Sequence, residues 1–188
     1  MNNSQGVRMK NLILVFLLTA CCVMFITPGL AQNKYVGVKM CAMCHKNDKT
    51  GNQFGIWQKS KHSEAYKVLT SDTANAIAKK AGLKTTAAAS PECLGCHTIT
   101  ADAKLCDKTF DAKDGVQCET CHGPGSGYKT MTLMKDKDKA VAAGLMLYKD
   151  DKEIEKKCVT CHNDKSPTFK AFKFADMWPK IKHTVPKS

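Results

Sequence analysis

Hydrophobic residues along this chain fall into one long run and several short amphipathic stretches. Asn11 to Thr27 is almost wholly apolar, follows the basic residues Arg8 and Lys10, and leads into Pro28-Gly29-Leu30-Ala31 ahead of Gln32. That order is the order of an export signal, with cleavage after Ala31 and Met9 as an alternative start. A spanning anchor is the competing reading, but the run is at the short end of what crosses a bilayer. Leu18-Thr19-Ala20-Cys21 has the look of a lipoprotein box, and cutting there would leave Cys21 lipidated as a membrane tether. The apolar Cys22 to Ile26 beyond it is instead what a continuing signal core shows. The expected organisation is a signal segment over 1–31 and one domain over 32–188.

Past that run the apolar period is helical. Within Gln53 to Thr70, His62, Ala65, Tyr66 and Leu69 stand at i, i+3, i+4 and i+7, one face of a predicted helix. Asp72 to Ala81 reads as a second helix stopped by Gly82, Leu133 to Ala143 as a third stopped by Gly144, and Asp151 to Cys158 as a fourth. Lys135-Asp136-Lys137-Asp138-Lys139 is then a solvated helix face. No segment alternates convincingly in the manner of a strand. The predicted fold class is mainly α with extensive irregular chain.

Charge and cysteine content change this picture. The 188 residues carry 29 basic and 17 acidic side chains, and loss of Arg8 and Lys10 with the signal leaves 27 against 17, a formal +10. A basic balance of this kind ordinarily points to nucleic acid; export argues against that partner and asks for another use of the charge. Nine cysteines remain after residue 31, and export ordinarily turns such richness into disulfides. Their spacing points elsewhere.

Cys41-Ala42-Met43-Cys44-His45, Cys93-Leu94-Gly95-Cys96-His97, Cys118-Glu119-Thr120-Cys121-His122 and Cys158-Val159-Thr160-Cys161-His162 are four copies of C-x-x-C-H, the attachment signature of c-type haem. Two thiols within one turn form thioethers with the two vinyl groups on one edge of the porphyrin, and the adjacent histidine becomes the proximal iron ligand. Zinc ribbons also use paired cysteines, but they do not require a histidine at the same fifth place four times. The motifs consume eight of the nine cysteines beyond residue 31 and four of six histidines. Cys106 is the spare thiol and reads as an inert buried residue. Four haems bring about eight propionate charges, which the basic chain offsets; a basic docking face for an acidic partner is compatible with this. Roughly 39 residues per haem are too few for a separate side-chain core around each, so the haems themselves are expected to form the core. Gly123-Pro124-Gly125-Ser126-Gly127 lets backbone pass close to a macrocycle; as a phosphate loop it lacks the Lys-Ser/Thr ending.

The first motif followed by Trp57-Gln58-Lys59-Ser60-Lys61-His62-Ser63-Glu64-Ala65 resembles the cytochrome c-554 family of tetrahaem cytochromes. So do Gly115-Val116-Gln117 with the third motif and Gly123-Pro124-Gly125, and the tail from Phe172 through Met177 to His183. The resemblance implies a mainly helical multihaem fold, haems in stacked pairs, three bis-histidine haems and one five-coordinate haem. The family carries a distal histidine shortly after its Gly-Pro-Gly segment; here Tyr128 to Met134 contains none. One haem must therefore be ligated differently.

Four haems need up to four distal ligands, and His62 and His183 are the histidines left. His62 lies on an otherwise apolar helical face. His183 follows Met177, Trp178 and Ile181, with Asp176 as a predicted N-cap and Pro179 in the first turn. By the resemblance, His62 completes the haem of His122 and His183 that of His162, while the haem of His97 stays five-coordinate. The haem of His45 then takes Met131 or Met134, or stays open, or is bound by something else. The leading functional expectation is an extracytoplasmic, periplasmic electron relay between redox partner proteins. The alternatives are a reductase of nitric oxide, nitrite or hydroxylamine at an open iron, and a polymeric haem conduit.

Overall fold

The computed structural model describes residues 32–183. The expected signal segment, with its cleavage point after Ala31 and the tether residue Cys21, lies outside the described residues. Ten short α-helices follow one another: α1 Val38–His45, α2 Gln53–Gln58, α3 Ala65–Val68, α4 Asp72–Lys80, α5 Pro91–His97, α6 Cys118–His122, α7 Met131–Met134, α8 Lys137–Ala142, α9 Asp151–Cys158 and α10 Phe174–Met177. With the 3₁₀ turns they account for 52 % of the chain described, and one isolated bridge, Tyr35 to Cys106, is the strand structure present among the described residues. The fold is mainly α with much irregular chain, consistent with a multihaem cytochrome c.

Local chemistry accounts for both agreement and departure. Helix α4 starts where the Ser71 hydroxyl accepts from the Ala74 N–H and ends before Gly82 at φ 77°, as predicted. The predicted helix over 53–70 is broken between Gln58 and Ala65. There the Ser60 hydroxyl donates to the Trp57 carbonyl at 2.7 Å, and Ser63 donates to the Gln58 and Ser60 carbonyls at 2.9 Å each. These bonds compete with the helical ladder. The predicted helix over 133–143 is likewise two helices, because the Asp136 side chain caps α8 by accepting from the Lys139 N–H. Asp176 lies inside α10 rather than at its N-cap, and Pro179 falls in the 3₁₀ turn that follows.

Among the described residues the polypeptide buries eight hydrophobic side chains: Val36, Val38, Leu69, Ala78, Ala87, Ile99, Tyr128 and Ala140. Leu69, Ala78 and Ala87 form one cluster, packed against Leu94 and Cys93 of the second motif. Ten large hydrophobic residues are exposed, including Met43, Val68 and Phe169. So thin a core is unusual for a chain of this length.

Candidate functional site

Each motif sits at the end of a helix. His45, His97 and His122 close α1, α5 and α6, and Cys158 closes α9, from which the His162 N–H reaches back to the Cys158 carbonyl at 3.0 Å. In a helical turn, residues i and i+3 share a face, so the two thiols of a motif point to one side with the histidine beside them.

The motifs meet in two pairs. The Cys41 and Cys118 thiols lie against one another, and His45 lies close enough to His122 to act on its charge. The Cys96 and Cys161 thiols are likewise in contact, and His97 acts on His162. First thus neighbours third and second neighbours fourth. The neighbouring Cys118 thiol and burial push the Cys41 thiol up, while Cys118 is lowered by the same interaction; burial raises Cys121 to about 11. All nine cysteines of the described residues are free of disulfides.

Both non-motif histidines stand opposite a motif histidine. The ring centroids of His62 and His162 are 6.0 Å apart, and those of His122 and His183 are 5.9 Å apart. One metal between two imidazoles sets their centres roughly 6 Å apart, at about 2 Å per metal–nitrogen bond and about 1 Å from nitrogen to ring centre. Both separations fit. The pairing expected by resemblance is corrected here: His62 faces His162 rather than His122, and His183 faces His122 rather than His162. The break after Gln58 docks the His62 carbonyl on the Val116 N–H at 3.0 Å, beside the third motif, while the ring turns toward His162.

The ring nitrogens are poised in the same sense. The Nδ1 of His97 donates to the Ala65 carbonyl at 2.7 Å, that of His122 to the Met146 carbonyl at 3.0 Å, and that of His183 to the Ile181 carbonyl at 3.1 Å. His45 Nδ1 lies 3.2 Å from the Gln53 side-chain oxygen. A carbonyl only accepts, so the proton sits on Nδ1 and the lone pair on Nε2, the tautomer a metal ligand requires. His162 is instead stacked on Phe172 at 4.7 Å. Burial lowers the pKa of His62, His122 and His162, with a neighbouring imidazole adding to each, and this favours the neutral, ligating form.

A cavity of about 780 Å³ opens among the second, third and fourth motifs, lined by His62, Cys96, His97, Cys121, Cys161 and His162. The Thr120 hydroxyl on its wall and the Trp178 indole N–H are buried without a polypeptide partner. Unsatisfied buried polar atoms, thiol pairs and neutral imidazoles together are the donor set that haem c uses, so the residues present fit that group. Met131 and Met134 lie at the surface on α7, which packs on α8; they are 63 % and 36 % exposed. Cys106 is half-buried, its thiol 3.6 Å from the Asp102 carbonyl.

Two buried residues were missed by sequence reasoning. Glu119 and Gln117, each 2 % exposed, bind the backbone that leads into α1. A carboxylate inside a C-x-x-C-H motif, ahead of a Gly-Pro-Gly turn with no Cβ to obstruct it, was the available signal.

Residues 40–123 match the family described as Cytochrome c554 and c-prime. That span is similar to the cytochrome c-554 family. The matched span holds the first three motifs and His62. Over 159 residues the chain is 26 % identical to "Cytochrome c-554" of Nitrosomonas europaea, an alignment covering 77 % of this chain and 66 % of that protein, just under two thirds of its length. No solved structure matches. The c-554 family is one of c-type cytochromes, and its cofactor is covalently bound haem c.

Proposed function

We propose that this chain is a tetrahaem c-type cytochrome that relays electrons between redox partner proteins outside the cytoplasm. The observation that carries the reading is the pair of imidazole separations, 6.0 and 5.9 Å, each joining a C-x-x-C-H histidine to a histidine outside the motifs. Cys41 and Cys44, Cys93 and Cys96, Cys118 and Cys121, and Cys158 and Cys161 hold the four groups, with His45, His97, His122 and His162 as proximal ligands. When bound, the haems supply one-electron redox chemistry. The chain's own part is to orient them: carbonyls fix the tautomers of His97 and His122, and His62 and His183 face the fourth and third sites. Met131 and Met134 are the thioether candidates for the site of His45, and His97 has no second imidazole left to it.

The apolar segment at 11–27 supports export, and no helix among the described residues is long and apolar enough to cross a membrane. The formal charge of +10 offsets the haem propionates and needs no nucleic acid to explain it. Intact mass and EPR of the purified protein test the reading. Four covalent haem masses, resistant to acid–acetone, and two bis-histidine signals per chain are expected; fewer than four haems, or zinc, sinks it.

A second reading is favoured by one observation: His97 lines the open cavity. An iron there with a free sixth position is a site for a small ligand such as nitric oxide or nitrite. Binding of nitric oxide by the reduced protein at about one site per chain, lost in His97→Ala, distinguishes it from a pure carrier.

A further inference from the structure

We propose that Glu119 is a positioning residue for the haem pair of the first and third motifs, and that its buried negative charge lowers that pair's reduction potential. The inference rests on the haem reading above.

Glu119 lies between Cys118 and Cys121 and is 2 % exposed. Its Oε1 accepts from the Val36 N–H at 2.8 Å and from the Gly125 N–H at 2.6 Å, and its Oε2 accepts from the Gly37 N–H at 2.7 Å. Val36 and Gly37 lead directly into α1, which carries the first motif; Gly125 belongs to the turn after the third. One side chain thus ties both motifs together. Gln117, equally buried, repeats the link: its Oε1 accepts from the Val38 N–H at 2.8 Å and its Nε2 donates to the Asp111 carbonyl at 2.8 Å. At Gly125 an added Cβ would stand 3.0 Å from Glu119 Oε1, so the carboxylate would have to give by a few tenths of an ångström.

In all three bonds Glu119 only accepts, the behaviour of a carboxylate anion. Among the described residues no Lys or Arg pairs with it, so its charge is held by backbone dipoles alone. The charge sits between the two motifs, bonded to the backbone that leads into α1 on one side and to the turn after the third motif on the other. A buried anion is poorly screened. It favours the oxidised iron, which carries one more positive charge than the reduced one, and so opposes uptake of an electron. A residue with only a structural role would fix the backbone and leave potentials unmoved.

The test compares wild-type, Glu119→Gln and Glu119→Asp holoproteins by intact mass, thermal melting and redox titration. Components are assigned through His183→Ala, which marks the haem of His122. One electron is added per iron from the electrode. Equal haem content is expected throughout. Glu119→Gln should raise the reduced-to-oxidised ratio of one or both haems at Cys41/Cys44 and Cys118/Cys121 about tenfold at fixed potential, about 59 mV for one electron. The other two haems, and all four in Glu119→Asp, should stay within about twofold. Unmoved midpoints in haem-loaded Glu119→Gln, or an equal shift of all four haems, overturn the inference alone. If Glu119→Gln does not mature, the neutral Glu119→Ala decides: a raised midpoint of the haem at Cys41/Cys44 or Cys118/Cys121 supports the inference, and unmoved midpoints overturn it. A wild-type chain without covalent haem overturns the haem reading and this inference together.

Discussion

His62 and His162 face one another with ring centroids 6.0 Å apart, and a break in the helix before His62 is what brings them there. The Ser60 and Ser63 hydroxyls turn the chain away from the helical ladder, and the freed His62 carbonyl accepts from the Val116 N–H. Gly115 lies so close to that carbonyl that an added Cβ would stand 2.6 Å from its oxygen. The segment before the third motif therefore holds the backbone of His62, while the imidazole reaches toward the fourth.

His62→Ala is expected to convert one low-spin haem to high-spin without loss of haem mass, the haem affected being the one on Cys158 and Cys161. His183→Ala should do the same for the haem on Cys118 and Cys121, and the double variant should show both changes. EPR with peptide mapping reads this. An unchanged spectrum in His62→Ala returns that residue to an ordinary half-buried histidine.

Trp57→Phe removes the indole N–H that donates to the Val116 carbonyl at 2.7 Å. The loss should cost about 1–2 kcal/mol in denaturant unfolding. Because Val116 also holds the His62 backbone, the low-spin fraction of the fourth haem should fall with it.

Gly125→Ala places a Cβ 3.0 Å from Glu119 Oε1 and 3.1 Å from Val36 Cγ2. An overpacked, partly broken clamp of this kind should cost about 1–3 kcal/mol. The melting temperature should drop while the haem count is kept, and a wild-type melting curve would show that the turn has room to give.

Met131→Ala and Met134→Ala are expected to separate the candidates for the haem of His45. The axial one should yield a new high-spin signal and a lower midpoint for that haem, as loss of a thioether requires. If neither variant changes the spectrum, the sixth position there is not a methionine of α7.

Replacing all eight motif cysteines by serine should give a chain with no cooperative thermal transition. Eight buried hydrophobic side chains among the described residues cannot offset the ordering of so long a backbone, and the cluster of Leu69, Ala78 and Ala87 serves only one corner. A sharp calorimetric transition in that variant would mean the polypeptide carries its own core.

What the sequence determined by itself was local and chemical. Two cysteines and a histidine within five residues are enough to propose thioether attachment and a proximal ligand, because those atoms are neighbours along the chain. Gly82 likewise marks a helix end through local backbone geometry, and α4 and α9 lie close to where the sequence places them. The break at 59–64 was less legible, since serine hydroxyls compete with a helix only when the backbone beyond them has somewhere else to bind. That place is Val116, far along the chain. Which histidine faces which was decided in three dimensions: His62 meets His162 and His183 meets His122 only in the folded chain, with ring centroids 6.0 and 5.9 Å apart. The Glu119 clamp belongs to the same class. Its three donors come from Val36, Gly37 and Gly125, on either side of it in sequence, and only the folded path brings their N–H groups to one buried carboxylate.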